Sequence, residues 1–267
     1  MAADLGFDEI QYDYVRFPVE SDADAADYGV DMCTYPKQQA IQDFLSYAGE
    51  RLHEKECVVT ADVFGTIIGS ETDVQTVGQN YTVLGQTVDA ISPMVYPSHY
   101  GNGVFGLKVP DANPYETVLA AMQGSRDALQ EIPEAERAVV RPWLQAFTAT
   151  WVQGHISYNG TQIREQIQAV YDACYEEWIL WNATNRYSAE GLLGAEETAD
   201  SPADQPVAEE AVEREYDRFG RSGAGSRIKA DRQSTTLLSV GSNHPGCDLE
   251  WHYGGAKNES ICNRSSD

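Results

Sequence analysis

The feature that most constrains the fold is a regular alternation of strand-like and helix-like segments before residue 190. Five segments rich in apolar, β-branched or aromatic residues recur at 9–17, 58–65, 90–96, 139–147 and 178–183. Helical patterns separate them, and the first helix has one apolar face made of Ala40, Ile41, Phe44, Leu45, Ala48 and Leu52. This alternation predicts parallel strands joined by right-handed crossovers, in either an open doubly wound sheet or a closed barrel.

The residues that follow the strand-like segments favour the barrel. No G-x-G-x-x-G sequence follows any of them, so a dinucleotide-binding sheet loses its main support. Polar and aromatic residues stand at the segment ends instead, as in barrel enzymes whose active sites are built from the loops after the strands. We therefore expect an α/β fold, a partial (β/α)8 TIM barrel, over residues 1–188.

The remaining residues, 189–267, lack this apolar pattern. Gly, Ala, Glu, Asp, Ser and Pro dominate up to residue 213, and a stretch rich in Arg, Gly and Ser follows up to residue 232. Such a composition buries too little apolar surface to offset the entropy lost on ordering. The sequence predicts a low-complexity, mostly disordered tail.

Charge and cysteine usage exclude several classes of function. A net charge of −24 would repel nucleic acid and anionic membranes, so neither is an expected partner. No apolar run is long enough to span a bilayer, and the N-terminus carries no export signal. The five cysteines form no C-x-x-C pair and no Cys/His spacing suited to zinc, so we expect neither a metal nor another cofactor.

The most informative segment lies at residues 6–18. With a side-chain period of two, Gln11 and Asp13 share one face of the strand while Tyr12 takes the other. In a barrel the bulky face meets the helices, so Gln11 and Asp13 are predicted to point inward. An inward carboxylate costs free energy unless it is paired or functional, and Arg16 is close enough to pair with it. Asp13 is thus a candidate catalytic residue; the alternative is a structural Asp13–Arg16 pair.

The second segment repeats this arrangement. Thr60 and Asp62 occupy the face opposite Val59 and Ala61, so Asp62 is predicted to stand beside Asp13 on a neighbouring strand. Two carboxylates at adjacent strand ends suit glycoside hydrolysis, in which one protonates the leaving oxygen and the other acts as nucleophile or base. The alternative is that Asp62 is a hydrogen-bonded structural residue.

Aromatic and polar residues at the other strand ends suit sugar recognition, because rings stack on the C–H faces of pyranoses. The predicted substrate-binding residues are Arg16, Tyr96, His99, Tyr100, Arg141, Trp143, Gln145, Trp181 and Asn182. An inward Arg141 needs an acidic partner, and we expect Asp13 or Asp62 to be that partner. Loop packing is the alternative role for His99, and burial in the core is the alternative for the tryptophans.

Four motifs, at residues 7–18, 92–100, 141–145 and 181–183, together resemble the bacterial and archaeal family called the "putative glycosyl hydrolase domain", which is of TIM-barrel type. The resemblance spans about residues 1–188. It implies that the five segments are barrel strands four to eight, so strands one to three are not expected in this chain. It also implies that Asp13 is the nucleophile and Asp62 the acid/base, and that intact members are extracellular or associated with the cell envelope.

The sequence therefore favours a glycoside hydrolase-like domain that acts on a polysaccharide or cell-envelope glycan through Asp13 and Asp62. The rival hypothesis is a non-catalytic or vestigial carbohydrate-binding fragment. In that protein the same aromatic residues hold sugar, but the missing strands leave no competent active site.

Overall fold

The structure, a computed structural model, describes residues 2–19 and 26–192. Within them, strands and helices alternate as the sequence predicts. The strands are β1 (Glu9–Tyr12), β2 (Val58–Phe64), β3 (Ala90–Val95), β4 (Val139–Val140), β5 (Trp143–Gln145) and β6 (Ile179–Trp181). The helices are α1 (Lys37–His53), α2 (Glu71–Val77), α3 (Tyr81–Thr87), α4 (Pro114–Leu129) and α5 (Gly160–Asp172). The predicted tail lies, from residue 193 onward, outside the described residues.

The strands form one parallel sheet whose spatial order follows the chain order. β1 pairs with β2, β2 with β3, β3 with both β4 and β5, and β5 with β6. A doubly wound sheet would reverse its strand order at a switch point, and this sheet does not. Sequential parallel strands with helices on one face make a half-barrel, which confirms the predicted partial TIM barrel.

β4 and β5 are two segments of a single predicted strand. Pro142 lies between them and has no N–H to donate to the ladder, so the strand pairing is interrupted there. Arg141 still donates its backbone N–H to the carbonyl of Ile91 on β3 at 3.0 Å, which keeps the two segments in line.

The two faces of the sheet differ in chemistry. Val59, Ala61 and Val63 on β2 are almost fully buried and form the core with the helices. Thr60 and Asp62 alternate with them and face the interior of the half-barrel, where each accepts or donates side-chain hydrogen bonds. The predicted inward and outward positions on this strand are therefore confirmed.

Local signals in the sequence define the helix ends. Asn159 caps α5 in a capping box with Gln162. Between β2 and β3 the chain forms two separate helices, because Gly78 ends α2 with φ +76°. A Cβ at Gly78 would lie 2.9 Å from the Phe17 ring, so only glycine lets the loop after β1 approach this closely.

The first strand is shorter than predicted. It ends at Tyr12, and Tyr14 has the left-handed backbone conformation (φ 55°), which is uncommon for a residue other than glycine. The chain then turns, and Phe17 donates its N–H to the carbonyl of Val77 at 2.8 Å. Asp13 consequently lies in a loop and not, as predicted, in a strand.

None of the helices in the described part of the chain combines the length and apolar character needed to cross a membrane.

Candidate active site

A pocket opens at the C-terminal ends of the strands. Seven of its lining residues were predicted from the sequence: Asp13, Arg16, Asp62, Tyr96, His99, Trp143 and Trp181. Four were not: Tyr14, Phe64, Gln79 and Met94. The structure thus brings both candidate carboxylates and most of the predicted aromatic residues to one place.

Asp62 lines this pocket with only 5% of its surface exposed. Its Oδ1 accepts hydrogen bonds from Gln11 Nε2 at 2.5 Å and from Trp143 Nε1 at 2.8 Å. Among the described residues no donor contacts Oδ2, so that oxygen is available to hold a proton.

Burial raises the pKa of Asp62 from 3.8 to about 6. The bonds from Trp143 and Gln11 oppose this rise because they stabilise the carboxylate, and the negative charges of Asp13 and Glu9 add to it. A carboxyl group that holds its proton near pH 6 is suited to donate it to a leaving group.

Asp13 has a contrasting environment. Its side chain is exposed, and Oδ1 accepts the backbone N–H of Tyr14 at 2.7 Å. The left-handed conformation of Tyr14 turns the chain immediately after Asp13, and both residues line the pocket. The site therefore contains one buried and one exposed carboxyl group, which are close enough for the charge of Asp13 to affect the pKa of Asp62.

Arg16 lines the pocket, but the predicted Asp13–Arg16 pair is wrong. The Arg16 guanidinium donates to the Phe17 carbonyl at 2.9 Å and lies over the ring of Phe64, 5.4 Å from its centroid. No ion pair joins it to Asp13 in the described residues. The positive charge is instead held at the pocket wall by aromatic rings.

Aromatic residues form two walls of the pocket. Trp143 and Trp181 meet edge to face with centroids 5.9 Å apart, and Tyr96 meets His99 in the same way at 5.0 Å. Burial raises the pKa of Tyr96 well above its usual value, and the nearby charges of Asp62 and Asp13 raise it further. The Tyr96 hydroxyl therefore remains a hydrogen-bond donor at every physiological pH.

Gln79 is a site residue that the sequence did not indicate. It is buried, its Nε2 donates to the carbonyls of Val15 and Asp62 at 3.1 and 3.2 Å, and its Oε1 accepts the N–H of Phe64 at 3.0 Å. One amide thus joins the loop that carries Asp13 to the strand that carries Asp62. A single glutamine between two helices has no distinguishing pattern, so only the fold reveals this role.

Arg141 lies elsewhere, and its predicted pairing with Asp13 or Asp62 is wrong. Its Nη1 contacts Glu9 Oε1 at 2.9 Å, and its Nε donates to Glu177 Oε2 at 2.7 Å. Thr60 Oγ1 donates to the same Glu9 oxygen at 2.6 Å. We call Glu9, Thr60, Arg141 and Glu177 the floor cluster, because Glu9 begins β1 and Glu177 precedes β6, at the opposite end of the strands from the pocket.

Gln145 does not line the pocket. It is fully buried, its Oε1 accepts the N–H of Ser98, and its Nε2 donates to Asp111 Oδ1 at 2.9 Å and to the Phe147 carbonyl at 3.0 Å. These bonds join the loop after β3 to the loop after β5. Gln145 therefore positions the loop that carries His99 from outside the pocket lining.

Tyr100 and Asn182 are also outside the pocket lining. Tyr100 is buried against Gly65, where an added Cβ would lie 2.6 Å from its hydroxyl oxygen. Asn182 Nδ2 donates to the Ala146 carbonyl at 2.5 Å, and its Oδ1 accepts the N–H of Thr184. Both residues shape the loops around the site.

The family model described as "Putative glycosyl hydrolase domain" matches residues 1–187. The chain belongs to this glycosyl hydrolase domain family. A search of the curated proteins found no match.

Several solved glycoside hydrolases are similar to this glycosyl hydrolase domain. The PgaB (BpsB) glycoside hydrolase domain from Bordetella bronchiseptica is 14% identical with a TM-score of 0.44, over 66% of this chain and 52% of that one. The spore cortex-lytic enzyme SleL of Bacillus megaterium QM B1551 is 11% identical with a TM-score of 0.45, over 70% and 48%. A chitinase from Chromobacterium violaceum is 13% identical with a TM-score of 0.43, over 67% and 62%. The chain thus spans about half the length of the first two.

Proposed function

We propose that this domain is a glycoside hydrolase that cleaves a polysaccharide or cell-envelope glycan, with Asp62 as the acid/base and Asp13 as the nucleophile. Membership of the family supports the reaction class and a carbohydrate substrate. The observation that carries the assignment of roles is the contrast between the two carboxyl groups: Asp62 is buried with its pKa raised to about 6, and Asp13 is exposed.

In the first step, the proton on Asp62 transfers to the glycosidic oxygen while the bond from that oxygen to the anomeric carbon breaks. Asp13 attacks the anomeric carbon from the opposite face and forms a glycosyl ester. In the second step Asp62, now a carboxylate, takes a proton from water, and the resulting hydroxide displaces Asp13. Gln11 and Trp143 keep Asp62 Oδ1 fixed through both steps, which leaves Oδ2 to exchange the proton.

The pocket walls supply the binding. Trp143, Trp181 and Tyr96 present ring surfaces suited to the C–H faces of a pyranose. Arg16 adds a donor fork at the pocket wall that can contact hydroxyl or carboxylate groups of a sugar.

The test is hydrolysis of a polysaccharide panel by the full chain and by its Asp13→Asn and Asp62→Asn variants. The panel comprises chitin, cellulose, xylan, peptidoglycan and hyaluronan, with release of reducing ends as the measurement. We expect wild-type release from one member and a loss of about 10²–10⁴-fold in each variant. Wild-type turnover in both Asn variants would mean that the catalytic pair lies elsewhere.

A non-catalytic carbohydrate-binding domain is the second candidate. The position of Asp13 favours it, because this residue lies beyond β1, is exposed, and directs Oδ1 to its own loop. An exposed carboxylate in water is a weaker nucleophile than one held in a dry site. Binding of a panel member without release of reducing ends, unchanged by Asp13→Asn, would favour this candidate.

A further inference from the structure

We propose that Trp151, together with Phe147, forms a second sugar-binding subsite outside the pocket. The proposal rests on the proposed function in that the occupant is a sugar ring of a glycan whose neighbouring unit lies in the pocket. Neither residue lines the pocket itself.

An unbroken series of aromatic contacts connects the pocket to this outer pair. Tyr96, in the pocket wall, meets Phe147 with centroids 5.9 Å apart. Phe147 in turn stacks on Trp151 at 6.0 Å, with an angle of 23° between the ring planes. Trp151 therefore lies two ring contacts from the lining of the pocket.

Trp151 is unusually exposed for its type. Its relative exposure is 68%, whereas Trp143 is partly buried and Trp178 is almost fully buried. Phe147 covers one side of the indole, so the exposed area is left for a ligand. A large aromatic ring held in water gains little stability from packing, and tryptophan is enriched at binding interfaces.

The loop that carries Trp151 is held in place from both sides. Its tip is closed by the N–H of Val152, which donates to the Ala149 carbonyl at 3.0 Å. Its base is held by Asp111, whose Oδ2 accepts the N–H of Ile156 at 3.3 Å and whose carbonyl accepts the Tyr158 hydroxyl at 3.0 Å. A fixed ring loses little conformational entropy when a sugar binds, which suits a permanent subsite.

A sugar is a better occupant than an apolar protein surface because the patch is narrow. One stacked ring pair offers the area of a pyranose face, and it is continuous with a pocket that contains carboxylates and an arginine. Such a combination of one ring platform and adjacent polar groups is typical of carbohydrate sites.

Affinity electrophoresis of the full chain in native gels tests the proposal. The gels contain glycol chitin, hydroxyethyl cellulose or xylan, and all variants carry Asp62→Asn so that no polymer is cleaved. We expect retardation in at least one gel, and about three- to tenfold weaker binding when Trp151→Ala is added. Tyr47→Ala is the matched control, because Tyr47 is an aromatic residue of 57% exposure on α1, and its removal should leave the retardation unchanged.

Three outcomes would overturn the proposal: equal retardation with and without Trp151, no retardation of the Asp62→Asn protein in any gel, or a change of oligomeric state caused by Trp151→Ala in sedimentation. Failure of the proposed hydrolysis is seen separately, because reducing-end release is measured on the protein with Asp62 intact. If retardation depends on Trp151 but the protein with Asp62 intact releases no reducing ends, the subsite proposal stands and the proposed hydrolase activity is wrong.

Discussion

Both ends of the half-barrel interior contain carboxyl groups, but only those at the floor are paired with a cation in the described residues. In the floor cluster each carboxylate has a partner, since Arg141 binds both Glu9 and Glu177, and Thr60 donates to Glu9. In the pocket, Asp62 is buried without any cation contacting it in the described residues, and Asp13 is exposed beside it.

This difference separates a structural carboxylate from a candidate catalytic one. Glu9 and Asp62 are both inward residues of neighbouring strands, so the inward orientation alone does not distinguish them. Pairing does: a cation offsets the desolvation of Glu9, whereas the desolvation of Asp62 is expressed as a raised pKa. Substitutions in the floor cluster are therefore expected to change the free energy of unfolding, and substitutions in the pocket are expected to change turnover.

The largest expected effect separates the roles of the two pocket carboxyls. With an aryl glycoside of the sugar that the wild type releases, the leaving group needs no proton. Asp62→Asn should then keep a fast first burst of aryl alcohol, while Asp13→Asn should lose about 10⁴-fold and show no burst. Stopped-flow absorbance measures both. Loss of the burst in Asp62→Asn together with its retention in Asp13→Asn would reverse the roles.

The next effect is the pH dependence of stability that Asp62 causes. Its pKa is about 6 in the folded chain, above the ordinary 3.8 of an aspartate, so the unfolded chain releases the proton first as pH rises. Stability is therefore lost between about pH 4 and 6, by at most about 3 kcal/mol. Asp62→Asn removes this loss, so it should match the wild type in urea melts at pH 3.5 and exceed it at pH 7.5. A constant difference across this range would contradict the raised pKa.

A smaller effect is expected at the floor. Arg141→Met removes the shared cation and leaves Glu9 and Glu177 facing each other, but both carboxylates are partly exposed to water. We expect a loss of about 2 kcal/mol in the free energy of unfolding and little change in turnover of the folded protein. Lys55→Met is the control, since it breaks the exposed Lys55–Asp4 pair, which water screens, and should cost much less than the loss of Arg141. Equal losses in the two variants would mean that the floor cluster stabilises the fold no more than an exposed ion pair does.

The sequence predicted the parts of this contrast that depend on local periodicity. The alternation on β2 correctly oriented Thr60 and Asp62. Side chains alternate between the two faces of a strand, so once the apolar residues face the helices the others must face the interior. The order of strands and helices likewise predicted parallel strands joined by crossover helices. These features need only neighbouring residues to specify them.

The features that the sequence missed depend on residues far apart in the chain. Arg141 and Glu9 are 132 residues apart, and no periodicity indicates that one arginine would bind carboxylates next to the first and last strands. The end of β1 at Tyr12 was missed because Tyr14 adopts a left-handed conformation without the glycine that usually signals it. Gln79 was missed because its three hydrogen-bond partners are all backbone groups, which no side-chain pattern in the sequence reveals.

The smallest predicted effect concerns the tuning of Asp62 by one hydrogen bond. Trp143 Nε1 donates to Asp62 Oδ1 at 2.8 Å and stabilises the carboxylate, which opposes the larger effect of burial. Trp143→Phe keeps a ring in the wall but removes the donor, so the pKa of Asp62 should rise by about one unit, equivalent to about 1.4 kcal/mol. The pH–rate profile should show this as a shift of the acid's limb to higher pH. Trp181→Phe is the control, because Trp181 lines the same pocket without contacting Asp62 in the described hydrogen bonds, and its profile should not move. Equal shifts in both variants would mean that the aromatic environment, and not the indole donor, sets the acidity.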